Sequence, residues 1–156
     1  MYKILISLIL VFSFVGADTL KIFSPIAVFD KFVFENPNGQ KMTIPDTTRT
    51  IVVSFEKDTG KLVNGYLETK QTTYLSKHDA VFIADINNMP TIITKLFALP
   101  KLREYKHPIY LHFEEEFEKY VPVMEEQVTV IKLEDKKVQS ISYISTLDEL
   151  KAVFEK

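Results

Sequence analysis

The sequence predicts an α/β domain, a mixed β-sheet covered by helices on both faces. Three observations predict it. Apolar strands alternate with amphipathic helices through the middle of the chain, from Thr50 to Phe113. Two further strand-like runs then flank Glu134-Asp135-Lys136, a charged hairpin turn. Last, Thr146-Leu147-Asp148-Glu149 has the form of a capping box and opens a closing helix.

From Ile22 onward lie short apolar pieces, IAVFDKFVFE and KMTI, separated by Asn36-Pro37-Asn38-Gly39. Asn38-Gly39 suits positive φ, so this region reads as a β-hairpin or a pair of short extended segments. Pro45-Asp46 and Thr47-Thr48 lead into the main domain. TIVVSFE, from Thr50, is a continuous buried strand rich in β-branched residues. The next helix lines one face with Leu62, Val63, Tyr66 and Leu67. AVFIADI (Ala80 to Ile86) is the second strand. Asn88 is placed to cap the following helix, with Pro90 in its first turn and Ile92, Ile93, Leu96 and Phe97 as the face it buries. Pro100 ends or kinks that helix. PIYLHF (Pro108 to Phe113) is the third strand and EEFEKYV a short helical turn. VTVIKL and KVQSISYI pair as the hairpin, and the last helix buries Leu150, Val153 and Phe154. Right-handed crossovers make the first three core strands parallel; the hairpin adds antiparallel ones.

A length of 156 residues is one domain with a genuine core, and the net charge of −2 comes without a Lys/Arg stripe, which excludes a nucleic-acid role. Met1-Tyr2-Lys3, the apolar run Ile4 to Val15, and the small residues of Val15-Gly16-Ala17 have the anatomy of a secretory signal peptide. Residues 1–17 are therefore expected to be a leader and 18–156 the mature domain, periplasmic or secreted. The run is shorter than the ~20 residues a bilayer span requires, so no membrane span is expected after cleavage. Asp18, not cysteine, follows Ala17, which excludes a lipid-modified start.

The order of elements resembles the thioredoxin-like superfamily in its redoxin branch, over Ile26 to Phe154. NPNGQKMTI is similar to that branch's N-terminal hairpin, TRTIVVSFEKD to its first core strand, and VTVIKLEDKKVQSISYISTLDELKAVF to its closing hairpin and helix. The resemblance implies a thioredoxin-like three-layer sandwich with an N-terminal β-hairpin extension and a C-terminal β-hairpin plus helix. The departures bear on function. Where the family carries Cys-x-x-Cys, within Lys57 to Leu62, this chain has KDTGKL, and Val63 stands about where a peroxidatic cysteine would be. Where a cis-proline precedes the hairpin strand, Glu126-Gln127 precede Val128; His107-Pro108 is the other candidate for a cis bond. The chain contains no cysteine, so disulfide exchange and thiol-peroxidase chemistry are excluded. What the resemblance implies is a redox-inactive exported relative, whose function the fold alone does not give.

Ligands of open α/β sheets gather at the carboxyl ends of the parallel strands. That edge holds Lys57, Asp58, Thr59 and Lys61 after the first strand and Asp85 and Asn87 after the second. A helix beginning near Gly60 would aim free N–H groups at it, and with Lys57 and Lys61 nearby a small anion or a partner's carboxylate can bind. Alternatively, Asp58 and Thr59 serve only to cap the helix. The expected function is a binding or assembly module of the cell envelope, recognising a protein or a small anion. An enzyme using non-thiol chemistry around Asp58, Lys61 and Asp85 is the alternative from a different class.

No dinucleotide-binding glycine pattern, P-loop or Gly-x-Ser-x-Gly elbow is present, and no cofactor is expected. His78, His107 and His112 lack metal-ligand spacing. His112 and Glu114 share a strand face, fewer than the three or four ligands a structural site requires. Glu114-Glu115-Glu116 with Glu118 reads as a solvated face at a helix start. Tyr105, Tyr110, Phe113, Phe117 and Tyr120 read as core, with outward members available as a partner-binding patch.

Overall fold

The computed structural model describes residues 19–155; the expected leader at 1–17 lies outside them. One seven-stranded sheet runs through the molecule in the order β2-β1-β5-β4-β3-β6-β7. Its strands are β1 (Phe34–Glu35), β2 (Lys41–Met42), β3 (Thr50–Ser54), β4 (Ala80–Asp85), β5 (Tyr110–His112), β6 (Val128–Glu134) and β7 (Lys137–Ile144). β3, β4 and β5 are parallel, with Val52 beside Phe82 and Ala84 beside Leu111. β1 joins β5, and β6 joins β3, in antiparallel pairings. This is the mixed sheet the sequence predicts.

Alternation along the strands divides the core in two. Ile51, Val53, Val81, Ile83 and Ile131 face one side, with Phe29, Phe34 and Phe117. Val52, Phe82, Leu111 and Val130 face the other, under Val63, Leu67 and Leu150. Burying each such side chain contributes about 1.5–3 kcal/mol. The second face is covered by α1 (Lys57–Glu68), α4 (Leu99–Leu102) and α6 (Leu147–Phe154), the first by α5 (Glu116–Tyr120) and the N-terminal segment. A single turn, α2 (Tyr74–Lys77), which the sequence analysis does not anticipate, precedes β4.

The hairpins obey their turn residues. Asn36 Oδ1 accepts the Asn38 N–H at 2.9 Å, and Gly39 adopts φ of 79°. Asp135 and Lys136 both take positive φ, 49° and 62°, as the tight turn between β6 and β7 requires. Thr146 and Glu149 form the expected capping box, with the Glu149 N–H donating to Thr146 Oγ1 at 3.2 Å and the Thr146 N–H to Glu149 Oε2 at 3.0 Å.

Three expectations are corrected, and the open state of one proline bond is decided. IAVFDK is a 3-10 helix (Ile26–Lys31), not an extended segment. Its buried residues Ile26 and Phe29 are three apart, followed by buried Phe32, which is the 3-10 repeat. The core helix begins at Lys57 rather than near Gly60, which lies inside its first turn. No cis peptide bond occurs among the described residues, so the His107-Pro108 bond is trans.

The third correction is the largest. The helix after β4 starts as α3 (Thr91–Ile93) with Pro90, not Asn88, at its N-cap, then passes through a π-helical turn (Thr94–Ala98) into α4. Pro100 has no N–H to give the Leu96 carbonyl, and just before it the Leu99 N–H reaches five residues back to the Thr94 carbonyl. Thr94 is buried and Leu99 and Leu102 face the core. Ile92, Leu96 and Phe97 consequently stand 70%, 64% and 65% exposed, the reverse of the expected arrangement.

Candidate functional site

The carboxyl ends of β3 and β4 open into a groove between the start of α1 and the α3–α4 segment. Ser54 and Ala84 lie at its base; Phe55, Ile93, Phe97, Leu102 and Tyr105 line it, and Lys57, Lys61 and Lys101 also border it. Its volume is about 290 Å³.

Each sequence-predicted residue has a definite place here. Glu56 is the N-cap of α1: its N–H donates to Thr59 Oγ1 at 3.3 Å, and the Thr59 hydroxyl donates back to the Glu56 carbonyl at 2.9 Å. Thr59 is buried and structural. Asp58 lies outside this cap, with its carboxylate exposed and 3.3 Å from Lys61 Nζ. Lys57 and Lys61 line the groove. The Glu56 carboxylate accepts the Glu126 N–H at 2.9 Å, and Glu126 adopts φ of 57°. This contact ties α1 to the loop before β6, where the resemblance leads one to look for a cis-proline.

Asp85 and Asn87 are placed differently from Lys57 and Lys61. Ala84 faces the helix side, so the next side chain along the strand, Asp85, turns to the opposite face. There its Oδ1 accepts the Asn87 N–H at 3.1 Å and lies 3.7 Å from His112 Nδ1. The His112 ring is wedged among Phe32, Phe34 and Phe117, at centroid distances of 5.7, 5.8 and 4.9 Å. Asp85 Oδ2, Asn87 Nδ2 and His112 Nε2 are buried without a hydrogen-bond partner. The structure thus brings Lys57, Asp58, Thr59 and Lys61 to one edge and sends the Asp85 carboxylate beneath it, away from Asp58 and Lys61. Asn88, also on the groove, donates to Glu118 at 2.7 Å.

The remaining histidines serve local structure. His107 is buried against Asn64, with Nε2 2.8 Å from Asn64 Oδ1; burial pushes its pKa down to about 4, so the neutral ring donates from Nε2. His78 Nδ1 lies 2.9 Å from the Tyr74 carbonyl. Among the described residues no three acidic, histidine or cysteine side chains gather as a metal site, and no helix is long and apolar enough to cross a membrane.

Sequence reasoning offers Tyr105 only as a member of an aromatic run with outward members for a partner, and misses the rest of the site's apolar half. Met89, Ile93, Phe97 and Tyr105 line the groove, whereas the aromatic run of β5 and α5 buries Tyr110, Phe117 and Tyr120 and leaves Phe113 outside. Pro100, inside an otherwise helical pattern, is the signal that the helix changes register.

No protein-family model matches the sequence, and no curated protein is similar to it. Solved structures superpose along most of the chain. Peroxiredoxin Q of Xanthomonas campestris does so with a TM-score of 0.52 at 14% identity, over 87% of this chain and 95% of its own. A putative protein disulfide isomerase from Bacteroides thetaiotaomicron gives 0.51 at 14% identity, covering 88% and 86%. A SCO1/SenC family lipoprotein from Bacillus anthracis gives 0.51 at 13%, covering 88% and 93%. The strand order, the parallel core, the closing hairpin and these likenesses agree: the chain has the thioredoxin-like fold of redoxin-type proteins, built from a sequence without cysteine.

Proposed function

We propose that the chain is an exported, redox-inactive thioredoxin-like binding module of the cell envelope, which recognises a protein or a small anionic ligand at the groove above β3 and β4. The observation that carries this reading is the outward-facing apolar surface of the α3–α4 segment, on the same groove as Lys57 and Lys61. Soluble domains rarely leave several large apolar side chains uncovered side by side unless something binds them. Export is supported by the basic start, apolar run and Val15-Gly16-Ala17 of the sequence. The alternative, an enzyme with non-thiol chemistry at this edge, requires the Asp85 carboxylate to turn out of its contact with His112 before it can meet a substrate beside Lys61.

Pull-down from the native envelope tests the reading. The wild-type protein should retain a discrete partner that the Ile93→Asp/Phe97→Asp variant loses, while circular dichroism shows the variant folded. Equal retention by both proteins would place the binding surface elsewhere.

A further inference from the structure

Resting on that groove reading, we propose that the occupant is a segment of a partner protein with an apolar core bordered by carboxylates. Ile92, Leu96 and Phe97 project from α3 and the π turn at 70%, 64% and 65% exposure, and Ile93 and Phe97 continue that surface into the groove. The groove volume of about 290 Å³ lies at the lower bound of the roughly 300–1,000 Å³ typical of small-molecule pockets. It suits anchoring side chains better than a whole cofactor.

The border of this surface is cationic although the chain as a whole carries −2. From Asn87 to Arg103 the sequence holds Lys95, Lys101 and Arg103 and no acidic residue. Lys57 and Lys61 approach from α1. Lys61 and Lys101 are each held by an exposed carboxylate, Asp58 at 3.3 Å and Glu104 at 2.8 Å. Such surface pairs contribute only about 0–1 kcal/mol, so a partner's carboxylate exchanges with them readily. Lys57 and Lys95 form no ion pair among the described residues. Of the acids on the groove, Glu56 is engaged by the Glu126 N–H and the Asp85 carboxylate faces the other side of the sheet. Backbone pairing is not available there, because β3 and β4 are both flanked by neighbours. Recognition must therefore run through side chains: apolar anchors in the groove and carboxylates against the lysines.

Three synthetic peptides with one Leu/Phe core, flanked by Glu, Ser or Lys, provide the test by fluorescence anisotropy on the purified protein at low salt. The Glu-flanked peptide should bind about tenfold or more tighter than the Ser-flanked one, with the Lys-flanked peptide weakest. Lys57→Glu/Lys101→Glu should reverse that order, and Phe97→Asp should weaken all three. Both variants change exposed side chains, and circular dichroism checks their folding. Equal affinity whatever the flank would overturn the carboxylate requirement and leave the groove reading standing. Absence of peptide binding, alongside intact partner retention in the pull-down, would do the same. Ile92-dependent binding to phosphatidylcholine vesicles carrying about 30% phosphatidylglycerol, with no peptide binding, would make the occupant an anionic lipid surface and refute the proposal.

Discussion

The backbone N–H of Glu126 donates to the Glu56 carboxylate across 2.9 Å, joining the loop before β6 to the first residue of the cap of α1. These two segments are held together by a charge-assisted hydrogen bond. Glu56, which lines the groove, is held at this point from the α1 side.

That anchor and the α1 cap form one prediction. Glu56→Ala removes the acceptor and should cost about 1–2 kcal/mol. Thr59→Ala removes the buried hydroxyl of the cap and should cost about 1 kcal/mol. Asp58→Ala loses only an exposed contact with Lys61 and should stay within about 0.5 kcal/mol. Urea titration of the three variants checks the order; an Asp58→Ala cost as large as that of Thr59→Ala would make Asp58 the cap after all.

The Asp85–His112 contact makes a second prediction. Both side chains are sealed, at 1% and 0% exposure, and 3.7 Å apart. His112→Phe extends the cluster of Phe32, Phe34 and Phe117 yet leaves the Asp85 carboxylate with no polar side chain beside it. The expected cost is about 2–4 kcal/mol, with recovery in the Asp85→Leu/His112→Phe double variant, since replacing a buried polar pair by apolar groups is often neutral. Additive losses in the double-mutant cycle would show that the two residues do not act as a pair.

His107 sets a pH dependence. Burial lowers its pKa from 6.5 to about 4 in the folded protein. Between these values the unfolded chain holds a proton on this ring that the folded chain does not, so stability falls as pH drops from 6.5 to about 4. Below that window the loss is complete, at about 3 kcal/mol from this group. His107→Gln keeps a donor for Asn64 and removes the titration. Its urea midpoint should change less than the wild type's across that window; parallel pH curves for the two proteins would assign the acid sensitivity to other groups.

Most of the fold was legible because strand and turn signals are local. Ile51 to Val53 and Val81 to Ile83 are unbroken apolar runs, Val128, Val130 and Ile131 make a third strand-like run around Thr129, and both tight turns carry residues that accept positive φ. What was not legible depends on register. A continuous apolar strand hides which face each residue takes, so Asp85 reads as an edge residue although its parity with Ala84 sends it to the far side of the sheet. Ile92, Ile93, Leu96 and Phe97 fit the 3.6-residue period of a buried face, but Thr94, Leu99 and Leu102 take the inward positions around the π turn and Pro100. Lys57 and Lys61 were visible in the sequence, whereas Lys101 was not singled out. The site's apolar wall was hidden by the same periodicity that identified the helix.

The most direct measurement is site-specific photo-crosslinking in intact cells, from position 97 on the groove and from position 139 on the exposed face of β7. Phe97 is 65% exposed, so a photoreactive side chain there should leave the fold intact. Irradiation should yield one discrete adduct from position 97 and none from position 139. Lys57→Ala/Lys61→Ala should reduce that adduct severalfold while changing stability by less than about 0.5 kcal/mol. The same adducts from both positions, or none from position 97, would contradict a binding role for this groove.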